Sequence, residues 1–123
     1  MEFNTQKPIF LQICDIIIDK ILCDELPAGD RIASVRDFGE KMLVNPNTVQ
    51  RAYCELQNHG IIIQQRGIGY FITPNGKELA KNLRRQEFMR VQLPQLLHQM
   101  KVLGISWHEL TQIYQKLNTN LPK

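Results

Sequence analysis

Asn47, Thr48, Gln50 and Arg51 place four hydrogen-bonding side chains in one short run directly after Asn45-Pro46. That pair is a helix start. Asn45 can accept from free first-turn amides, and Pro46 takes the first helical position, where no amide is needed. Val49, Ala52, Tyr53 and Leu56 recur at helical spacing as an inward face, which leaves Asn47, Gln50, Arg51, Cys54 and Gln57 outward. The chemistry on offer suits a base edge. Asn or Gln can match adenine with two hydrogen bonds, Arg can match guanine in the same way, and a major groove admits one helix. Partial positive charge at the amino end of the helix favours a nearby phosphate. On periodicity alone, the same residues also read as the solvated side of an ordinary helix. Asn45 reads first as the cap, because capping occupies its oxygen.

Other chemistries find little support. His59, His98 and His108 share no ligand spacing with one another or with Cys14, Cys23 and Cys54, so no metal is expected. There is no HExxH, GxSxG or P-loop motif, and neither catalysis nor a cofactor is expected. The lone GxG of Arg66-Gly67-Ile68-Gly69 lacks the following helix that a nucleotide cradle needs, and reads better as a glycine-rich hairpin tip.

The elements that must position these residues follow from the periodicity of a chain of 123 residues, 43% of them hydrophobic and 22% charged. That balance is globular, and no apolar run approaches a membrane span. After Pro8, the residues Phe10, Ile13, Cys14, Ile17 and Ile21 mark one amphipathic helix, which Pro27-Ala28-Gly29 ends. Ser34 caps a second, short helix through Val35, Phe38 and Met42, and Gly39 inside it suggests that another helix crosses closely. Gly60 supplies the left-handed exit of the third helix. Two β-rich runs, Ile61–Gln65 and Tyr70–Thr73, then form a hairpin, and Pro74-Asn75-Gly76 marks a boundary. Beyond it, one helix is expected from about Lys77 to Leu103, kinked or divided at Pro94, followed by a last helix capped by Ser106 and Glu109.

Charge is spread unevenly around a net of +3. Residues 1–30 hold six acidic and two basic side chains, whereas residues 75–123 hold eight basic and three acidic ones, so an anionic partner should meet the later segments. The opening MEFNTQK has no basic segment followed by an apolar run, and an odd number of cysteines without CxxC spacing fits reduced thiols. The expected location is the cytoplasm.

Three helices and a hairpin make the element order of a winged helix-turn-helix, and the wording of the motifs is similar to one family. Pro27-Ala28-Gly29-Asp30-Arg31-Ile32-Ala33-Ser34-Val35-Arg36-Asp37-Phe38-Gly39 resembles the "PGDRLPSxRxLA" signature of GntR-family regulators. Val44–Tyr53 with Glu55-Leu56 resembles that family's recognition-helix segment, its NPNTVxxAY wording being similar to the YtrA-like branch. Arg66-Gly67-Ile68-Gly69-Tyr70-Phe71-Ile72 resembles the "RGxGxFV" wing. The chain departs from the pattern at Ala33, where proline is usual, and at Gly39, where alanine is usual. The resemblance implies a transcriptional regulator, read here as a repressor, that binds a palindromic double-stranded DNA operator as a homodimer. It implies DNA contacts from Ser34 and Arg36, from Asn45, Asn47, Thr48, Gln50 and Arg51, and from Arg66, Gly67 and Gly69. Arg36 could instead pair with Glu40 one helical turn on.

The expected class is therefore mainly α with a small β-hairpin: an N-terminal winged helix-turn-helix over residues 1–74 and a short helical dimerisation tail over 75–123. The tail is too short for a separate effector domain or a deep ligand pocket. Segments below roughly 70–80 residues seldom bury their own apolar faces, so Leu93, Leu96, Leu97, Met100, Leu103, Trp107, Leu110 and Ile113 are expected to pack against a second copy. Trp107 and Tyr114 read as dimer core before ligand cage, and Lys77, Lys81, Arg84 and Arg85 read as a solvated basic face before a phosphate site. A protein-interaction module on the same scaffold is the competing reading, which steep salt dependence of DNA binding would exclude.

Overall fold

A computed structural model describes residues 7–120, and for residues 119 and 120 the backbone alone. The chain divides into two compact units, residues 1–83 and 84–123.

In the first unit, α1 (Ile9–Leu22) buries Ile13, Cys14, Ile17 and Ile21 of the stripe that its periodicity predicts and Ile18 beside it, while Phe10 of that stripe is half-buried. Ser34 caps α2 (Val35–Met42), its hydroxyl accepting from the Asp37 amide at 3.0 Å. Asn45 caps α3 (Pro46–Asn58) by accepting from the Asn47 amide at 2.8 Å. Between α2 and α3 the chain turns at Leu43, which takes left-handed geometry (φ 57°, ψ 48°). Gly39 allows this tight corner, since a Cβ there would lie 2.8 Å from the Val44 carbonyl oxygen and 3.7 Å from Val49 of α3. The close crossing expected at Gly39 is thus a crossing by the turn and the start of α3.

Gly60 ends this helical part in left-handed geometry, and Ile61 begins the wing. Strands β1 (Ile62–Gln65) and β2 (Gly69–Ile72) pair antiparallel, Ile62 opposite Ile72 and Gln65 opposite Gly69. The other edge of β2 is also paired. Ile72 donates to the Asp30 carbonyl and accepts from Gly29, the Ile32 amide donates to Tyr70, and Arg31 bridges to Phe71. The sequence marks only a turn at Pro27-Ala28-Gly29 before this segment, because so short a pairing leaves no periodicity to read. Val49, Ala52, Tyr53, Leu56, Ile61, Ile62 and Ile72 are almost wholly buried and join the α1 stripe in one core. Helix α4 (Gly76–Glu87) adds Ala80 to that core. The arrangement is a winged helix.

The second unit, residues 84–123, differs in detail from the expected helix with a break at Pro94. After α4 comes a single π-helical turn, Phe88–Gln92, and then α5 (Leu93–Leu103), with Pro94 in its first turn. The Leu93 amide reaches back five residues to the Phe88 carbonyl. Pro94 has no amide to continue the ladder, and its ring would crowd the carbonyl four residues earlier, so the helix widens just ahead of it. Gly104 closes α5 in left-handed geometry, and Ser106 accepts from the Glu109 amide at 3.1 Å to start α6 (Trp107–Asn120).

Candidate nucleic-acid interface

Helix α3 carries its polar residues outward on a fixed base. Val49, Ala52, Tyr53 and Leu56 are at most 1% exposed, while Asn47, Gln50, Arg51, Cys54 and Gln57 are exposed and Thr48 is half-buried. Three further bonds fix the helix. The Tyr53 hydroxyl donates to the Ala33 carbonyl at 2.6 Å, and the buried Cys14 thiol of α1 donates to the Ala52 carbonyl at 3.4 Å. The Asn45 cap is the third, as its type and place predicted. Burial pushes the Cys14 thiol up to about 12, with the Glu55 and Asp15 carboxylates adding to the effect, so it stays neutral and a donor. Burial, with Tyr70 alongside, also raises the Tyr53 phenol above its ordinary range.

The outward side chains are not equally free. Arg51 lies over the Phe10 ring of α1, its guanidinium carbon 4.1 Å from the ring centroid, a cation–π stack that fixes the plane of the guanidinium. Gln50 donates to the Tyr70 hydroxyl of β2 at 3.2 Å and, more weakly, to the Cys54 sulfur at 3.6 Å. Arg36, at the start of α2, pairs with Glu40 at 3.3 Å, the pairing open to it on sequence grounds. Both partners are largely exposed, and such a pair is worth little and is easily exchanged for a phosphate.

At the wing tip, Arg66 and Gly67 are exposed and Gly69 is half-buried. Gly67 needs left-handed geometry (φ 77°). Gly69 takes φ 150°, which side chains rarely adopt, and Arg31 fills the space a side chain would use, its Nε lying 2.7 Å from where a Cβ would stand. The Arg31 guanidinium thus packs against the wing at Gly69. Sequence reasoning missed Arg31, Tyr70 and Phe10 as companions of the site. Arg31 stands inside a turn motif, while Tyr70 and Phe10 look like ordinary core aromatics, so only the glycine at position 69 hinted at a close neighbour.

In the tail, Met100 is buried, Leu93 and Leu110 are half-buried, and Leu96, Leu97, Leu103, Trp107 and Ile113 are exposed, Trp107 to 72%. Among the described residues, no group of three or more His, Cys, Asp or Glu side chains could hold a metal, and no helix is long and apolar enough to cross a membrane.

Comparison with known proteins agrees with this geometry. Residues 10–72 match the family described as bacterial regulatory proteins, gntR family. The chain is 38% identical over 109 residues to the uncharacterized HTH-type transcriptional regulator YhcF of Bacillus subtilis, covering 89% of this chain and 88% of that one. It is 30% identical over 118 residues to the HTH-type transcriptional repressor YtrA of the same organism, covering 96% and 90%. A GntR family transcriptional regulator from Listeria monocytogenes has a similar solved structure, with a TM-score of 0.76 and 33% identity over 93% of this chain and 98% of that one. The chain belongs to the gntR family of bacterial regulatory proteins, non-enzymatic transcriptional regulators that bind DNA.

Proposed function

We propose that this regulator is a repressor that binds a palindromic operator as a homodimer, residues 1–74 forming the DNA-binding domain and 75–123 the dimerisation tail. One observation carries the reading: the exposed Asn47, Gln50 and Arg51 lie at the amino end of a helix whose opposite face is almost fully buried. A helix so anchored can enter a major groove with these side chains at base edges. Ser34, Arg36, Asn45, Thr48, Arg66, Gly67 and Gly69 complete the contact set, Arg36 and the wing holding phosphates and so fixing register. Exposed Leu96, Leu97, Leu103, Trp107 and Ile113 support a second copy as the tail's partner, because so many large apolar side chains left open on one short segment call for cover. Two heads joined by the tails would occupy two half-sites in the cytoplasm, and occupancy near a promoter would block transcription.

Fluorescence anisotropy tests this. The probe is the duplex immediately upstream of the protein's own coding region, against a scrambled duplex, over a salt series. The expected result is a preference of about a thousandfold or more, with affinity falling linearly in log salt. Absence of binding to any duplex at low salt would overturn the reading in favour of a protein-interaction module.

A further inference from the structure

Gln50 is the outward residue of α3 that touches the wing. Its amide nitrogen donates to the Tyr70 hydroxyl at 3.2 Å, across twenty residues of sequence. Tyr70 cannot give way. Its ring is 8% exposed and stands edge-on to Tyr53 at 5.0 Å and 80°, and Tyr53 stands edge-on to Phe38 of α2 at 6.2 Å and 69°. The hydroxyl is therefore the tip of a column of three aromatic rings that runs from α2 through α3 to β2.

A glutamine amide has two donor hydrogens and one acceptor oxygen. One hydrogen goes to Tyr70. Among the described residues, the other meets only the Cys54 sulfur at 3.6 Å, a weak acceptor, and the oxygen has no partner. What remains for DNA is one oxygen and one readily released N–H, fixed in direction. That is the pair an adenine edge asks for, with its N6–H donor and N7 acceptor.

We propose that Tyr70 is a positioning residue for base recognition: its hydroxyl aligns the Gln50 amide for adenine in the operator, so that a wing residue sets the preference of the recognition helix. The inference rests on the DNA-binding reading above. It assigns Tyr70 no contact with DNA. Losing the bond frees a side chain that must then be immobilised on binding, which lowers discrimination about two- to twelvefold.

The test selects duplexes from a randomised pool with the full chain in four forms: unaltered, Tyr70→Phe, Gln50→Ala and the double variant. Phenylalanine keeps the ring column, and urea unfolding followed by circular dichroism checks that each form is folded. The unaltered chain should enrich a motif with an A·T pair that Gln50→Ala relaxes. Tyr70→Phe should weaken the preference at that same pair about two- to twelvefold, leave the other positions alone, and change nothing further in the Gln50→Ala background. A uniform loss across all positions, or an equal effect with and without Gln50, would overturn the positioning role while leaving DNA binding intact. Enrichment of no motif by the unaltered chain would overturn both.

Discussion

Leu43 sits at the corner that aims α3, and the structure makes a sharp statement about its stability. The residue is left-handed, at φ 57° and ψ 48°, and is 91% exposed. A side chain in that region costs about 1–2 kcal/mol relative to glycine, because Cβ crowds the following carbonyl. Leu43→Gly removes that cost and forfeits almost no buried area. Against it stands the wider freedom of glycine in the unfolded chain, about 0.4–1 kcal/mol. The net gain lies between about 0 and 1.6 kcal/mol and centres near about 0.8 kcal/mol, or a rise in midpoint of about 3 °C for a chain of this size. Leu43→Ala is the control, since it keeps Cβ and should change stability by less than about 0.5 kcal/mol. Thermal unfolding followed by far-ultraviolet circular dichroism measures both. Equal midpoints for the glycine and alanine variants, or a loss with glycine, would refute the assignment of strain to this corner.

Five other outcomes follow from the same structure. Phe10→Leu removes the ring beneath Arg51 and should weaken binding to the preferred duplex about two- to tenfold, with no further loss in an Arg51→Ala background; an anisotropy double-variant cycle decides it. Arg36→Ala should weaken binding to operator and scrambled duplex alike and reduce the salt slope by about one, which salt titrations of both duplexes read. A thiol reagent at pH 8 should label Cys23 and Cys54 and spare Cys14. Because folding raises the Cys14 thiol from its ordinary 9.0 to about 12, its contribution to stability is whole below pH 9 and is lost as pH rises from 9 to 12, so urea midpoints should fall across that window. Leu103→Glu, at a position already 71% exposed in the single chain, should leave the helical signal intact and shift sedimentation from dimer to monomer; an unchanged dimer would remove Leu103 from the interface.

Local signals in the sequence carried most of the first unit. Asn45-Pro46 and Ser34 mark helix starts because a cap and its helix lie within three residues of each other, and Gly60 marks an exit for the same reason. Periodicity likewise separated the buried face of α3 from Asn47, Gln50 and Arg51, since the side that faces the core repeats with the helix. Legibility ended where contacts became long-range. Arg31 on Gly69, Gln50 on Tyr70 and Arg51 on Phe10 each join residues far apart in the chain, and apart from the glycine at 69 none leaves a pattern in either partner's own segment. The tail gave an intermediate case. Pro94 predicted a disturbance in the right place, but its form as a widened turn over Phe88–Gln92 depends on how the preceding carbonyls accommodate the ring.

The two sides of α3 obey different physics. A helix of thirteen residues is marginal in isolation, so packing sets its position: four buried side chains, the Cys14 thiol on the Ala52 carbonyl, and the Tyr53 hydroxyl on Ala33. A larger side chain at Ala52 overpacks the core and costs about 1–3 kcal/mol, and it would affect DNA only by unseating the whole helix. On the outer side, Asn47 contributes little to the core, and its replacement should move stability by no more than about 0.5 kcal/mol. Binding and folding are thus separable at neighbouring positions of one helix. The exceptions are Gln50 and Arg51, whose side chains lean on the wing and on α1. Through those two contacts, on the proposed reading, residues that need not touch DNA would influence what the helix reads.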